Sequence, residues 1–94
     1  MVRFFHFKRE IKTRRSIFLQ AEVKMPIELM VAVGKRHVVG IVEFGNESAT
    51  IERPILPFMK PPEPEEIAKE LLRKLGVPES EWDELLKTKK EITI

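Results

Sequence analysis

The sequence predicts an α+β fold: a small five-stranded, mostly antiparallel sheet or partly open barrel, then a proline-rich link and a C-terminal helical hairpin. Three observations predict it. Residues 1–55 largely alternate apolar and polar side chains with a period of two, as half-buried strands do. Five of the seven prolines crowd into "RPILPFMKPPEPEE", residues 53–66, where fixed φ and missing amide hydrogens favour an extended connector. Beyond it, Ile67, Ala68, Leu71, Leu72 and Leu75 recur at helical spacing. Ninety-four residues suit one domain with one small core. Its parts are a β-rich basic region (1–55), the link (56–64), the hairpin (65–90) and a possible edge strand (91–94).

The first strand is expected over Arg3–Lys12. Phe5, Phe7 and Ile11 share one parity, and Phe4, His6, Lys8, Glu10 and Lys12 the other. Thr13–Ser16, "TRRS", reads as a short polar connector. "SIFLQAEVKM" then alternates as a second strand, with Ile17, Leu19, Ala21, Val23 and Met25 pointing one way. The two runs together predict an antiparallel hairpin. "IELMVAV" (27–33), "HVVGIVEF" (37–44) and "SATIERPI" (48–55) supply three more strands, with turns at Gly34 and Gly45. The 26–34 stretch also fits a short helix, since Pro26 precedes Glu28 and Gly34 closes the run. The expected core comprises Phe5, Phe7, Ile17, Leu19, Ala21, Val23, Val39, Ile41, Ile67, Leu71 and Leu75.

Pro64, Glu65 and Glu66 open the first helix, with negative charge where the helix dipole favours it. Gly76 closes it. Ser80 and Asp83 are spaced as a capping box for a second helix carrying Trp82, Leu85 and Leu86. The final "EITI" alternates and suits an edge strand or pairing with a partner.

Composition narrows the function. There is no cysteine, so disulfides and thiolate metal sites are excluded. No run approaches the roughly 20 apolar residues that span a bilayer, and early charges at Arg3, Lys8 and Arg9 interrupt any signal-peptide core. The expectation is a cytoplasmic protein with no membrane partner. Asp83, Gln20 and Asn46 are each the sole residue of their type, while Glu and Lys abound, a composition typical of hyperthermophile proteins and consistent with an archaeal source.

No catalytic constellation is visible. His6 and His37 sit among basic neighbours, which disfavour a further cation, and neither belongs to a metal-ligand spacing. "VAVGKR" fails as a phosphate-binding loop, because Leu29 stands where the first glycine belongs and Arg36 replaces Ser/Thr. The helical hairpin has the hydrophobic and glycine spacing of a helix-turn-helix. Its would-be reading helix, however, carries four acidic residues before Lys87 and would be repelled by DNA. The expectation is a non-enzymatic protein with no cofactor and no metal.

The net charge of +2 is unevenly spread. Residues 1–40 hold nine basic and three acidic residues, and residues 41–94 hold eight and twelve. The basic front suggests non-specific contact with RNA or DNA phosphates, which needs lysine and arginine but no base readout. The candidate nucleic-acid-binding residues are Arg3, Phe4, His6, Lys8, Lys12, Arg14, Arg15, Lys35 and Arg36, with Phe4 placed to stack on a base. The acidic back suggests a protein partner, with Trp82 and Leu86 as the candidate contacts. The expected role is that of an accessory subunit in an information-processing assembly. The alternative is a pure protein-interaction module or homodimer using the helical hairpin, the link and the terminal edge strand. A basic sheet or barrel followed by a C-terminal helix resembles, in architecture, archaeal chromatin proteins of the SH3-like type. No motif of that family is matched, so no site is carried over from it.

Overall fold

The computed structural model describes residues 2–14 and 22–92, with side chains over 2–11 and 24–92. Five antiparallel strands form one open sheet: β1 (Arg3–Arg14), β2 (Glu22–Val33), β3 (His37–Phe44), β4 (Glu47–Pro54) and β5 (Lys90–Ile92). Their order is β4-β3-β2-β1-β5. Helix α1 (Pro64–Lys74) packs on β2, β3 and β4. A 3-10 turn (Glu79–Glu81) and helix α2 (Trp82–Leu86) follow, and α2 packs on α1 and β1. The sheet is open, with β4 and β5 at its two edges, so it is not a barrel.

The predicted α+β plan holds, but the strands divide differently. β1 pairs with one continuous strand, from Arg3↔Val33 to Arg14↔Glu22. The end of the expected second strand and all of the expected third are thus a single element running through Pro26, and the fifth strand is the C-terminal β5. β1 continues through Thr13 and Arg14, where the connector is expected to begin, and Arg15 and Ser16 lie outside the described residues. Ile17, Leu19, Ala21 and the side chain of Val23 lie outside the described residues. The helical alternative for 26–34 gives way to strand. Proline is tolerated there because β3 pairs with β2 only from Ile27 onward. At Pro26 only the β1 edge of β2 is paired among the described residues.

Register fixes the faces. Phe5, Val31, Gly40 and Ile51 are mutual partners across four strands, as are Phe7, Leu29, Val42 and Ala49. This face meets the helices, and its side chains form the core with Ile67, Ala68, Leu71, Leu72, Val77, Trp82 and Leu85. The expected core residues Val39 and Ile41 are on the other face, and Ile41 is 44% exposed. The β3 run is apolar at both parities, so alternation alone does not choose. Gly40 decides: a β-carbon there would lie 2.6 Å from Ile67 Cγ2 and 2.9 Å from Leu71 Cδ1. Glycine at this point lets α1 sit directly on the strand, which turns Val38 and Val42 inward.

Helix α1 begins and ends where its signals predict. Pro64 occupies the first turn with Glu65 and Glu66. At the C-terminus Gly76 takes φ 72°, the Gly76 N–H donates to Arg73 O (3.1 Å) and the Val77 N–H to Leu72 O (3.0 Å). Those two bonds are a Schellman motif. Leu75 is only partly buried. The expected capping box at Ser80 does not form: no side chain caps the 3-10 turn or α2. Pro78 precedes the turn instead, and its C=O accepts the Glu81 N–H at 3.0 Å.

Candidate functional site

Among the described residues, no helix covers the other face of the sheet. Phe4, Ala32 and Val39 form one cross-strand row, extended by Ile92 of β5. His6, Met30, Ile41 and Thr50 form the next, extended by Lys90, and Lys8, Glu28, Glu43 and Ser48 a third. The centre of this face is apolar: Phe4, Ala32 and Val39 are half-buried, and Met30 is exposed beside Ile41.

The expected nucleic-acid-binding residues do not form one patch. Phe4, His6 and Lys8 share the open face, as predicted. Arg3 belongs to the opposite parity. Its guanidinium lies 5.0 Å from the Phe5 ring centroid and is ion-paired with Glu91 at 2.6 Å. Hydrogen bonding to Arg3 holds the Glu91 carboxyl below the usual range. Lys35 and Arg36 are exposed in the β2–β3 loop, beside the start of β1. Arg3, level with Val33, is about 17 Å along the strand from Lys8 at roughly 3.4 Å per residue, and the loop lies beyond it. Lys12 and Arg14 lie in the β1 backbone opposite Lys24 and Glu22. Their side chains, and all of Arg15, are outside the described residues. Phe4 is half-buried, and His6, the other ring on the described open face, lies 2.8 Å from Glu28, which leaves little platform for stacking bases.

Both expected protein contacts belong to the fold's own interior. Trp82 is 7% exposed, donates from Nε1 to Val77 O (3.0 Å) and lies 5.6 Å beneath the Arg73 guanidinium. Leu86 is partly buried against the core. A tryptophan in a five-residue helix cannot reach out without unseating that helix, so hydrophobic burial wins.

What the structure does assemble is a lysine groove at the β1–β5 edge. Helix α2 stops at Leu86, and Thr88 Oγ1 donates back to Leu85 O at 2.6 Å. The same oxygen accepts the Lys8 backbone N–H at 3.1 Å, which fastens the segment to β1. The chain then enters β5, pairing Lys90 with His6 and Ile92 with Phe4. His6, Lys8, Lys87, Thr88, Lys89 and Lys90 thus line one groove of about 470 Å³. Lys89 is anchored toward the helix side by Glu65 (2.9 Å) and the Phe5 ring (5.7 Å). Lys87 has a loose, exposed contact with Glu84 at 3.5 Å, of the kind that contributes little. His6 Nε2 lies 2.8 Å from Glu28 Oε1. Among the described residues, Lys8 and Lys90 have no ion-pair partner. No carboxylate of the described residues lines the groove.

Sequence reasoning missed Lys87, Lys89 and Lys90 because it counted them within an acidic half. The run "KTKK" after the last helical leucine was the available signal, but only the β5 pairing shows that it lies along His6 and Lys8. Among the described residues, no three His, Asp or Glu side chains gather as a metal site. No helix there is long and apolar enough to cross a membrane.

No family model matches the chain, and no solved structure matches it. It is 59% identical over 91 residues to Uncharacterized protein 72 of Sulfolobus islandicus filamentous virus (isolate Iceland/Hveragerdi), covering 97% of this chain and 92% of that protein. The chain belongs to that protein's family. This relative places the family in the context of archaeal viruses. A near-complete overlap means that the sheet, the link, the helices and the lysine-bearing terminus all fall within the shared length.

Proposed function

We propose that the protein is a non-enzymatic accessory protein that contacts nucleic-acid phosphates without sequence preference, through the lysine groove and its approaches on β1. One observation carries this reading: two stretches some 80 residues apart in the chain, His6–Lys8 and Lys87–Lys90, converge on one groove whose lining, among the described residues, has no carboxylate. Ammonium groups held on a strand edge suit a phosphate backbone, since each phosphate neutralised releases condensed counterions. The groove offers charge and N–H donors but no nucleophile paired with a base, which favours binding over turnover. The role fits a small subunit of an information-processing assembly in an archaeal-virus setting, and the Glu- and Lys-rich, amide-poor composition suits a hot habitat. The alternative of a protein-interaction module acting through the helical hairpin is less favoured, because Trp82 is buried and Leu86 is packed on the core.

The test is fluorescence anisotropy of labelled single- and double-stranded oligonucleotides, titrated at several salt concentrations. Three or four phosphate contacts predict a loss of affinity of about a hundredfold between 50 and 200 mM salt, with the double variant K8E/K90E losing most of the salt slope. Absence of binding at low salt, or binding indifferent to salt, overturns the proposal.

A further inference from the structure

We propose that the turn at residues 56–59 of the proline-rich link inserts its apolar side chains into an anionic lipid surface as a peripheral contact. This goes beyond nucleic-acid contact and does not depend on it. It departs from the expectation of no membrane partner, which rested on the lack of a spanning segment; a peripheral loop needs none.

The turn is tied down at its base. The chain leaves β4 at Pro54, and Ile55 packs against the core with its N–H donating to Arg36 O at 2.6 Å. The turn itself is closed by the Met59 N–H donating to Leu56 O at 2.9 Å. Pro57 holds its second position, where a fixed φ suits a turn. Phe58 is 84% exposed, the highest value among the large apolar residues described, and Leu56 and Met59 are exposed on either side of it. A single exposed apolar side chain is ordinary. Three within four residues, one of them a ring almost wholly in water, make an apolar tip whose shape is set before any partner arrives.

Cations border the tip. The bond to Ile55 sets Arg36 and Lys35 beside it, and Lys60 follows it directly. All three are exposed, and none has an ion-pair partner among the described residues. The carboxylates nearby, Glu63, Glu66 and Glu70, belong to the N-cap and body of α1. They share a pocket with Met59, Lys60 and Arg53 on the helix side of the turn, where Arg53 pairs with Glu70 at 2.7 Å. Apolar side chains bordered by lysine and arginine match a bilayer interface, where rings and aliphatic groups enter the acyl boundary and cations meet acidic headgroups. A protein partner is less favoured, because one four-residue turn supplies far less than the roughly 800 Å² per partner of a standard interface. The expected strength is that of a single acyl chain, reversible and on the order of 10⁴ M⁻¹. The turn springs from β4 and the lysine groove lies against β5, at opposite edges of the sheet, so lipid contact leaves the groove open.

The experiment is co-sedimentation of the full chain, free of nucleic acid, with phosphatidylcholine vesicles that contain or lack an anionic phosphatidylglycerol fraction. The expected result is binding to the anionic vesicles, weaker by about tenfold or more on the neutral ones. Phe58 is too exposed to support the core, so F58S should fold normally by circular dichroism and bind anionic vesicles about tenfold more weakly. K35Q/R36Q should lose about thirtyfold. F58W should gain an indole emission that shifts to the blue on anionic vesicles and is quenched by brominated lipid, a response absent from the parent, whose Trp82 is buried. No binding to anionic vesicles, binding indifferent to F58S, or an F58W indole that brominated lipid leaves unquenched would each overturn the proposal. Capture of a protein through Phe58 without vesicle binding assigns the tip to that protein and overturns it too. Oligonucleotide affinity of F58S, which keeps every groove residue, reports separately on the nucleic-acid reading.

Discussion

Both faces of this sheet carry apolar side chains, more of them on the helix side, and only that side is closed. On the helix side Phe7, Ile11, Ile27, Leu29, Val31, Val38 and Val42 are fully buried. On the other side Met30 and Ile41 remain 38% and 44% exposed, although they are mutual partners on adjacent strands. On β3, apolar at both parities, hydrophobicity does not distinguish the faces. What does is Gly40, whose missing side chain admits α1, and the two helical segments long enough to cover one side of a five-stranded sheet.

The largest expected contrast is in stability. L71A removes a fully buried side chain of α1 and should cost about 2–5 kcal/mol, whereas I41A and M30A on the open face should each cost no more than about 1 kcal/mol. Urea unfolding measures both, and equal costs would break the distinction between the faces. G40A should cost about 1–3 kcal/mol through overpacking against Ile67 and Leu71, while V39A, next to it but on the open face, should cost less. G76A should cost about 1 kcal/mol, since φ 72° is unfavourable for alanine; thermal melts of the two glycine variants rank the close approach against the turn.

The smallest effect sharpens the comparison at the sheet edge. Glu91 is held below the ordinary carboxyl pKa of 4.5, first by its hydrogen bond from Arg3. A depressed folded value means that the pair contributes above the unfolded pKa and is lost as pH falls through the folded one. E91Q should therefore be marginally less stable than the parent at neutral pH, and the gap should close on acidification below 4.5. A gap that widened in acid would contradict the sign.

Much of the architecture is legible residue by residue. Phe5 and Phe7 alternate inward, Pro64 opens α1, and Gly76 closes it. Errors arise where two readings are locally equal. Val38–Val42 is apolar at both parities, so Val39 and Ile41 looked as good for the core as Val38 and Val42. Pro26 looked like a break, because the sequence does not show which edges of β2 are paired. Trp82 looked like a contact point amid acidic residues, but the core claims it. In the candidate site, His6 and Lys8 were legible from alternation, whereas their three lysine neighbours come from the far end of the chain.

The sequence by itself determined where backbone conformations change, because period, proline, glycine and first-turn charge act on φ, ψ and hydrogen bonds within a few residues. Tertiary structure alone decided which face of β3 meets α1, that 22–33 is one strand, and that "KTKK" lies beside His6 and Lys8. Those outcomes depend on register and on which surface can be sealed from water, and both are set by partners tens of residues away.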